Sequence, residues 1–320
     1  MLRSFLISLS QADWAQRTVT GSGLAWRAAA RFVAGRTIDD ALRVVSVLNE
    51  KGINATLDQL GEHTTNSMEA NRSADGIVWV LDEIQRARVR TNVSIKLTQI
   101  GMGLDENVCR ANLMRILEKA REHGNFVRID IEDSQYTDQT LAVYAEMLQR
   151  GFDTQTVGMA VQSYLFRAEQ DVRALVEKGT RVRVVKGAYQ EPPELAFAKK
   201  ADVDANYDTI VSILLDGALA QKSEPGREGR VPPMPAIATH DEKRIAFAQS
   251  YAAKIGLSKS ALEFQMLYGI RRDLQERLAV LGYPVRVYVP FGTHWYPYFM
   301  RRLAERPANL WFFFSNAIRK

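Results

Sequence analysis

Several charged side chains in this sequence lie within, or at the end of, short runs of β-forming residues. Lys96 and Asp130 lie among apolar neighbours, and Arg183 stands between Val182 and Val184. Because side chains alternate between the two faces of a strand, each charge can point away from its apolar neighbours. Charges in such a position are costly unless they pair or bind a ligand. The pattern favours a site for an anionic ligand, and the alternative is a network of internal salt bridges between strands.

Two adjacent arginines, Arg301 and Arg302, follow the last of these runs on a predicted helix. Neighbours on a helix differ in direction by about 100°, so one arginine could face solvent, unless the helix lies across the site. Tyr298 precedes them by three and four residues and therefore shares their side. A guanidinium suits a carboxylate, and a tyrosine suits a small apolar ring.

The segment VVKGAY, residues 184–189, combines a strand end with a turn of small residues. Gly187 would let the backbone approach a phosphate, and Lys186 could neutralise its charge. Thr239 and His240 follow another run, where a hydrogen bond to a cofactor phosphate is reasonable, although a lone histidine is more often structural. The chain has no G-x-G-x-x-G motif, which disfavours a Rossmann dinucleotide site.

The elements that must position these groups alternate regularly along the chain. Eight β-forming runs occur, at residues 53–60, 93–100, 126–132, 156–162, 181–186, 236–240, 262–267 and 285–290. Stretches with apolar residues three and four apart separate them, as expected for amphipathic helices. A repeated βα order predicts a parallel sheet covered by helices, and eight units predict an α/β fold of the (β/α)8 TIM type. A doubly wound open sheet is the alternative. We expect a single domain over residues 1–320, with a helical arm at 1–52 and the barrel with a C-terminal segment at 53–320.

Composition sets limits on the class of protein. Of 320 residues, 46% are hydrophobic and 25% charged, which is typical of a globular chain, and the net charge is +5. Basic residues cluster only in pairs, so no nucleic-acid partner is expected. One cysteine excludes an internal disulfide, and the four scattered histidines indicate no metal site. No run reaches the ~20 apolar residues needed to cross a bilayer. We expect a cytoplasmic protein, with any membrane contact peripheral. The aromatic residues at 311–314 favour a packed terminal segment over a membrane anchor.

Several of these runs together resemble the bacterial monofunctional proline dehydrogenases. The resemblance rests on SIKLTQIG, RIDIED, VRVVKGAY, ATHDE, EFQMLYGI and RVYVPFGTHWYPYFMRRLAERPAN, in that order along the chain. The last run, with Tyr288, Tyr298, the paired arginines and Glu305 in that order, is the most specific. The resemblance covers about residue 53 to the C-terminus, and it implies a distorted β/α barrel that binds FAD non-covalently.

The resemblance also implies roles for individual residues. Those expected to hold the substrate carboxylate are Lys96, Arg301 and Arg302. Those expected around the substrate ring are Tyr288, Tyr298 and Leu267. Asp130 would organise the site through a hydrogen bond to Tyr288, and Glu305 would stabilise the arginine pair. Those expected to contact the cofactor are Ile131, Gln162, Arg183, Lys186, Gly187, Ala188, Thr239 and His240, with Arg183 beside the flavin N5.

The implied reaction is oxidation of L-proline to Δ1-pyrroline-5-carboxylate, with hydride transfer from C5 to N5 of FAD. It would be the first step of proline catabolism to glutamate. A membrane quinone would reoxidise the flavin, and a pyrroline-5-carboxylate dehydrogenase would be a functional partner. Two other functions stay open at this point. One is a Schiff-base aldolase with Lys186 or Lys96 as nucleophile, and the other is a barrel that only binds or scaffolds.

Overall fold

The computed structural model describes residues 19–20, 23–61, 64–189, 191–223 and 226–305. Eight strands alternate with helices along the chain. The strands are β1 (Asn54–Gln59), β2 (Thr91–Lys96), β3 (Val127–Asp130), β4 (Val157–Gln162), β5 (Val182–Val185), β6 (Pro235–Ala238), β7 (Glu263–Leu267) and β8 (Val285–Phe291). The helices are α1 (Gly23–Ala29), α2 (Ile38–Glu50), α3 (Ser67–Ala87), α4 (Glu106–Glu122), α5 (Thr137–Gln149), α6 (Ala168–Glu177), α7 (Lys200–Ala220), α8 (Glu242–Lys254), α9 (Arg272–Val280) and α10 (Trp295–Glu305). Short 3₁₀ helices occupy Leu97–Ile100, Ser134–Tyr136 and Lys259–Ala261.

The eight strands form a closed barrel in which every strand pairs in parallel with its neighbours in sequence, and β8 pairs with β1. The predicted (β/α)8 fold is therefore confirmed, and the open doubly wound sheet is wrong. Outward-facing side chains such as Val157, Met159 and Val161 are buried against the helices. Because a parallel barrel is covered by helices on its outside, this apolar layer forms the main core.

Local sequence determines where several helices begin. Thr37 caps α2 in a capping box with Asp40, and Asn66 and Asp105 accept backbone N–H bonds at the starts of α3 and α4. These side chains satisfy donors that a helix leaves unpaired at its first turn. Helix α2 packs through Ile38, Ala41 and Val45 into the same apolar cluster as the strands. The prediction of a single domain, with a helical arm at 1–52 and the barrel from residue 53, stays a prediction.

Helix α10, which follows β8, belongs to a second apolar cluster together with α1. Trp26 of α1 lies edge-on to Trp295 of α10, with ring centroids 5.5 Å apart, and Phe32 packs near Phe299 at 6.3 Å. The Arg36 guanidinium lies over the Trp26 ring at 4.5 Å. Because aromatic contacts of this kind add to simple burial, the helices that precede the barrel help to fix α10 in place.

Three features bear on the expectations from composition. Cys109 is buried in α4, and burial raises the pKa of its thiol to about 12. Within the described ranges, no group of three or more candidate ligands could hold a metal ion. No helix in the described part of the chain has the length and apolar character needed to cross a bilayer. The aromatic residues at 311–314 and most of the first 22 residues lie outside the described residues.

Candidate active site

A cavity of about 650 Å³ opens at the C-terminal ends of the strands, the face where functional groups of this fold gather. All predicted site residues with described side chains line it, namely Lys96, Asp130, Ile131, Gln162, Arg183, Lys186, Gly187, Ala188, Thr239, His240, Leu267, Tyr288, Tyr298, Arg301 and Arg302. The side chain of Glu305 lies outside the described part. Six cationic side chains and three carboxylates line the cavity, so its charge suits an anionic ligand.

Asp130 accepts hydrogen bonds from three side chains at the strand ends of the cavity. The Arg183 guanidinium donates to Asp130 Oδ1, and Ser94 Oγ donates to Asp130 Oδ2 at 2.9 Å. The Tyr288 hydroxyl also donates to Oδ2, at 3.2 Å, as the resemblance implied. Arg183 reaches Ser94 Oγ as well, at 3.0 Å, and its Cζ lies 5.2 Å from the centre of the Tyr288 ring. Four strands, β2, β3, β5 and β8, are thus joined through one carboxylate.

Tyr288 is held as a neutral phenol. Burial is the main cause that raises the pKa of Tyr288 well above its usual value, and the negative charges of Asp58 and Asp130 act in the same direction. Lys96 and Arg183 oppose the shift. Because the phenol keeps its proton, it remains a hydrogen-bond donor to Asp130 throughout the neutral and mildly alkaline range.

Lys96 pairs with a carboxylate that the sequence analysis did not name. Its Nζ lies 3.5 and 3.4 Å from the two oxygens of Asp58, which belongs to the neighbouring strand β1. Lys96 is 7% exposed and Asp58 is 1% exposed, so the pair is almost fully buried. These distances exceed the 2.7–2.9 Å or so that is usual for a charged N–H···O⁻ bond.

Helix α10 brings Tyr298, Arg301 and Arg302 to the same cavity. Tyr298 and Arg302 are buried and Arg301 is half-buried. The Arg302 Cζ lies 5.1 Å from the centre of the Tyr298 ring. The orientation question raised by their spacing is therefore answered, since both arginines line the cavity rather than one facing solvent.

Lys186 and the turn after β5 form another part of the cavity lining. Lys186 Nζ is bound by Asp204 at 2.5 Å and by Asp241 at 2.8 Å, and Lys200 also pairs with Asp204. Gly187 has a φ of 118°, and a Cβ there would lie 2.5 Å from the Tyr164 ring. Only glycine fits this position, because both the backbone angle and the space exclude a side chain.

Gln162 and His240 are fixed by backbone groups. The Gln162 amide donates to the carbonyls of Ile131 at 3.3 Å and Glu132 at 2.7 Å, and its oxygen accepts from the Ala188 N–H at 3.4 Å. The His240 Nε2 accepts the Leu267 N–H at 3.0 Å. An accepting Nε2 carries no proton, so the proton of the neutral ring is on Nδ1, where it can serve as a donor.

Sequence reasoning missed several polar residues of this cavity and its surroundings. They are Asp58, Ser94, Lys200, Asp204 and Asp241. A signal existed for Asp58, which alternates with Leu57 near the end of the first β-forming run. Asp204 lies in the first turns of α7, and nothing in its local sequence indicates that it meets a lysine from β5.

Comparison with known proteins places this site in a family. The family model described as proline dehydrogenase matches residues 41–313. Proline dehydrogenase 1 of Bacillus subtilis (strain 168) is 38% identical over 324 aligned residues, which cover 100% of both chains. Proline dehydrogenase of Deinococcus radiodurans is 41% identical over 287 residues, covering 89% of this chain and 88% of that protein.

A solved structure agrees with this placement. Proline utilization A (PutA) from Bdellovibrio bacteriovorus, inactivated by N-propargylglycine, superposes with a TM-score of 0.78 at 26% identity. The match covers 88% of this chain and 33% of that one, so this chain spans about a third of the longer protein. Sequence and structure agree, and the chain belongs to the proline dehydrogenase family.

Proposed function

We propose that this protein oxidises L-proline to Δ1-pyrroline-5-carboxylate with a non-covalently bound FAD, as the first step of proline catabolism to glutamate. The observation that carries the proposal is the meeting of Lys96, Arg301 and Arg302 in one cavity, together with Tyr288 and Tyr298. Three cations suit a small carboxylate, and two tyrosines suit a five-membered ring. Family membership supports the same substrate.

In this proposal the protein's first contribution is orientation. Lys96 and the two arginines would hold the proline carboxylate, while Tyr288, Tyr298 and Leu267 would enclose the ring. Fixing the ring in one pose can lower the barrier by several kcal/mol, because the substrate's rotational and translational freedom is lost on binding and not in the transition state. Asp130 would hold Arg183 and Tyr288 in register through the bonds described above.

The residues of the cavity fit a flavin nucleotide. Ala160 of β4 and Ala238 of β6 line the cavity, and their small side chains leave room for a flat ring system. The Gly187 turn allows close backbone approach, and Lys186 and Lys200, which are paired with Asp204 and Asp241, place ammonium groups beside it. This arrangement suits a diphosphate. Arg183 has a buried Nε without a hydrogen-bond partner in the described part of the chain. A ligand acceptor would satisfy this donor.

When bound, the flavin would supply the electron acceptor, taking the hydride from C5 of the ring at its N5. The ring nitrogen must first lose its extra proton, so that the C5–N double bond can form as the C5–H bond breaks. Arg183 would favour the negative charge that develops on the acceptor, because its own charge lies in a water-poor site. Gln162, with Ile131 and Ala188, would provide further contacts along the cofactor, and Thr239 and His240 would do so near its phosphates.

The two other functions raised by the sequence receive less support. A Schiff-base lysine must be neutral to attack a carbonyl, whereas Lys186 is bound by two carboxylates and Lys96 by one. A scaffold barrel gives no reason for so many charged groups around one cavity. The quinone acceptor at the membrane, a cytoplasmic location with peripheral membrane contact, and coupling to a pyrroline-5-carboxylate dehydrogenase are parts of the proposal that rest on the resemblance.

An absorbance spectrum of the purified protein, before and after anaerobic addition of L-proline, tests the proposal. We expect flavin bands that bleach with L-proline and return when a soluble quinone is added. A flavin that stays oxidised would keep the cofactor and remove the substrate. Absence of flavin after reconstitution with FAD would contradict the proposal as a whole. Inactivation by N-propargylglycine, as described for the Bdellovibrio protein, is a second expected result.

A further inference from the structure

Among the described residues, Asp58 is a carboxylate at the cavity's substrate end that the proposed reaction leaves without a role. It is the fifth of six residues in β1, and it lines the cavity with 1% exposure. Its two oxygens lie 3.5 and 3.4 Å from Lys96 Nζ. On its other side it lies close enough to Tyr288 to oppose ionisation of the phenol. A negative charge thus stands beside the lysine expected to bind a negative substrate.

A negative charge near the substrate carboxylate needs an explanation, because it repels the carboxylate and weakens binding. The reason lies in the burial of Lys96. An ammonium taken out of water tends to lose its proton unless a counter-charge compensates for the lost hydration. A neutral amine would bind a carboxylate far less well. A carboxylate that holds the lysine charged, but at a distance greater than a short ionic bond, leaves the ammonium able to make a closer bond to an incoming anion.

We propose that Asp58 is a positioning residue that keeps Lys96 protonated and aimed at the substrate carboxylate. The inference rests on the proposed function, because it takes Lys96 to be a carboxylate-binding group. In the described part of the chain, the charged and titratable groups that share this part of the cavity are Asp130 on β3, Arg183 on β5, Tyr288 on β8, and Tyr298, Arg301 and Arg302 on α10. Asp130 is already bound by Arg183 and Ser94, whereas both oxygens of Asp58 approach Lys96.

The consequence is a defined dependence on pH. With Asp58 in place, Lys96 stays charged and carboxylate binding is flat through neutral and mildly alkaline pH. With an uncharged residue in its place, the ammonium loses the counter-charge of Asp58 and releases its proton at lower pH. Carboxylate binding then requires uptake of one proton, so the dissociation constant rises about tenfold for each pH unit above the lowered pKa.

The test is calorimetric titration of the FAD-loaded protein with cyclopentanecarboxylate, a ring carboxylate without the nitrogen, between pH 6 and 9. For Asp58→Asn we expect Kd to approach the wild-type value at pH 6 and to be roughly ten- to hundredfold higher at pH 9. Asp58→Glu restores the charge and should restore the flat profile. Asp75→Asn, which removes a carboxylate paired with Arg115 on the surface, should behave as wild type.

Other outcomes are equally defined. A flat profile for Asp58→Asn overturns the role of Asp58, and so does a wild-type protein that does not bind the carboxylate. If Asp58→Asn does not fold, the double variant Asp58→Asn/Lys96→Gln should fold, because both charges of the pair are then removed together. A double variant that also fails would place Asp58 in packing alone. Failure of the proposed function is a different result, in which the carboxylate binds but L-proline does not bleach the flavin.

Discussion

The barrel holds a buried ion pair at each of its two ends, and the pairs differ in the distance between the charged groups and in what surrounds them. At the N-terminal end of the strands, Arg286 Nε donates to Glu263 at 2.8 Å, and its other nitrogens donate to the carbonyls of Ala55 and Gly229. Both partners are 1% exposed. At the C-terminal end, Lys96 and Asp58 lie 3.4 Å apart beside an open cavity.

Both pairs join strands, but the Arg286 pair is enclosed by backbone contacts, whereas the Lys96 pair lines the cavity. A buried charge is tolerated when its hydrogen bonds are satisfied within the fold. The bonds of Arg286 run to β1, to β7 and to the loop before β6, so it holds these segments together. Salt bridges of the kind considered as an alternative for the whole barrel are present at both ends, since Arg183 pairs with Asp130 and Lys96 with Asp58. At the C-terminal end the paired residues also line a cavity.

The largest expected effect is on the N-terminal pair. Glu263→Gln keeps the shape of the side chain but leaves the Arg286 charge uncompensated, which should lower the free energy of unfolding by about 3–5 kcal/mol. Urea unfolding followed by circular dichroism measures this loss. The KM for L-proline should not change. Glu276→Gln, on the exposed pair with Lys51, is the matched control and should cost little. A change in KM without a loss of stability would contradict a purely structural role for the N-terminal pair.

The next effect belongs to the cavity end. Arg302→Ala removes a buried cation proposed to hold the substrate, so KM for L-proline should rise about a hundredfold, roughly 3 kcal/mol. Steady-state kinetics measures it, with the flavin-to-protein absorbance ratio expected to stay constant. Arg277→Ala, on an exposed salt bridge with Glu242, controls for the loss of an arginine. An unchanged KM would show that the clamp is wrongly assigned.

The smallest effect concerns a third, partly exposed group at the Lys186 side. Partial burial of Asp204 opposes its ionisation, but hydrogen bonds from Lys186 and Lys200 outweigh it and lower the pKa of Asp204. A lowered pKa means that the ionised carboxylate stabilises the fold above about pH 4, its unperturbed range, and that this contribution is lost as pH falls through the lowered value.

Thermal unfolding of Asp204→Asn and the wild type, compared at pH 6 and below pH 4, measures this contribution. We expect the variant to unfold less than about 2 °C below the wild type at pH 6, since solvent screens the group. The gap should shrink at the lower pH. Asp75→Asn provides the surface comparison. A gap that widens as the pH falls would contradict a lowered pKa for Asp204.

Much of this arrangement could be predicted because strand periodicity is local. The alternation around Arg183 and the single charge of Lys96 among the apolar neighbours of its run indicated that both belong to the barrel mouth. Closure of eight parallel strands then brings together residues that lie far apart in the chain. The fold class and the gathering of the named residues followed from these two facts.

What could not be predicted depends on contacts between distant segments. Asp204 meets Lys186 only because the loop after β5 returns α7 to the cavity edge. The aromatic packing of α1 on α10, which fixes the arginine-bearing helix, joins residues about 270 positions apart by its Trp26–Trp295 contact. Ser94 carries no charge to attract notice, yet it bridges Asp130 and Arg183. Periodicity within a segment contains no information on such meetings.

The state of Cys109 has a practical consequence. This is the protein's single cysteine, it is fully buried in α4, and its thiol keeps its proton because burial raises its pKa to about 12. Since only the thiolate attacks alkylating reagents, the native thiol should be inert to maleimide dyes near neutral pH. One new cysteine placed at an exposed position, such as Val280, would then be labelled selectively. The native chain is therefore a ready background for fluorescence and spin-label measurements of the cavity in solution.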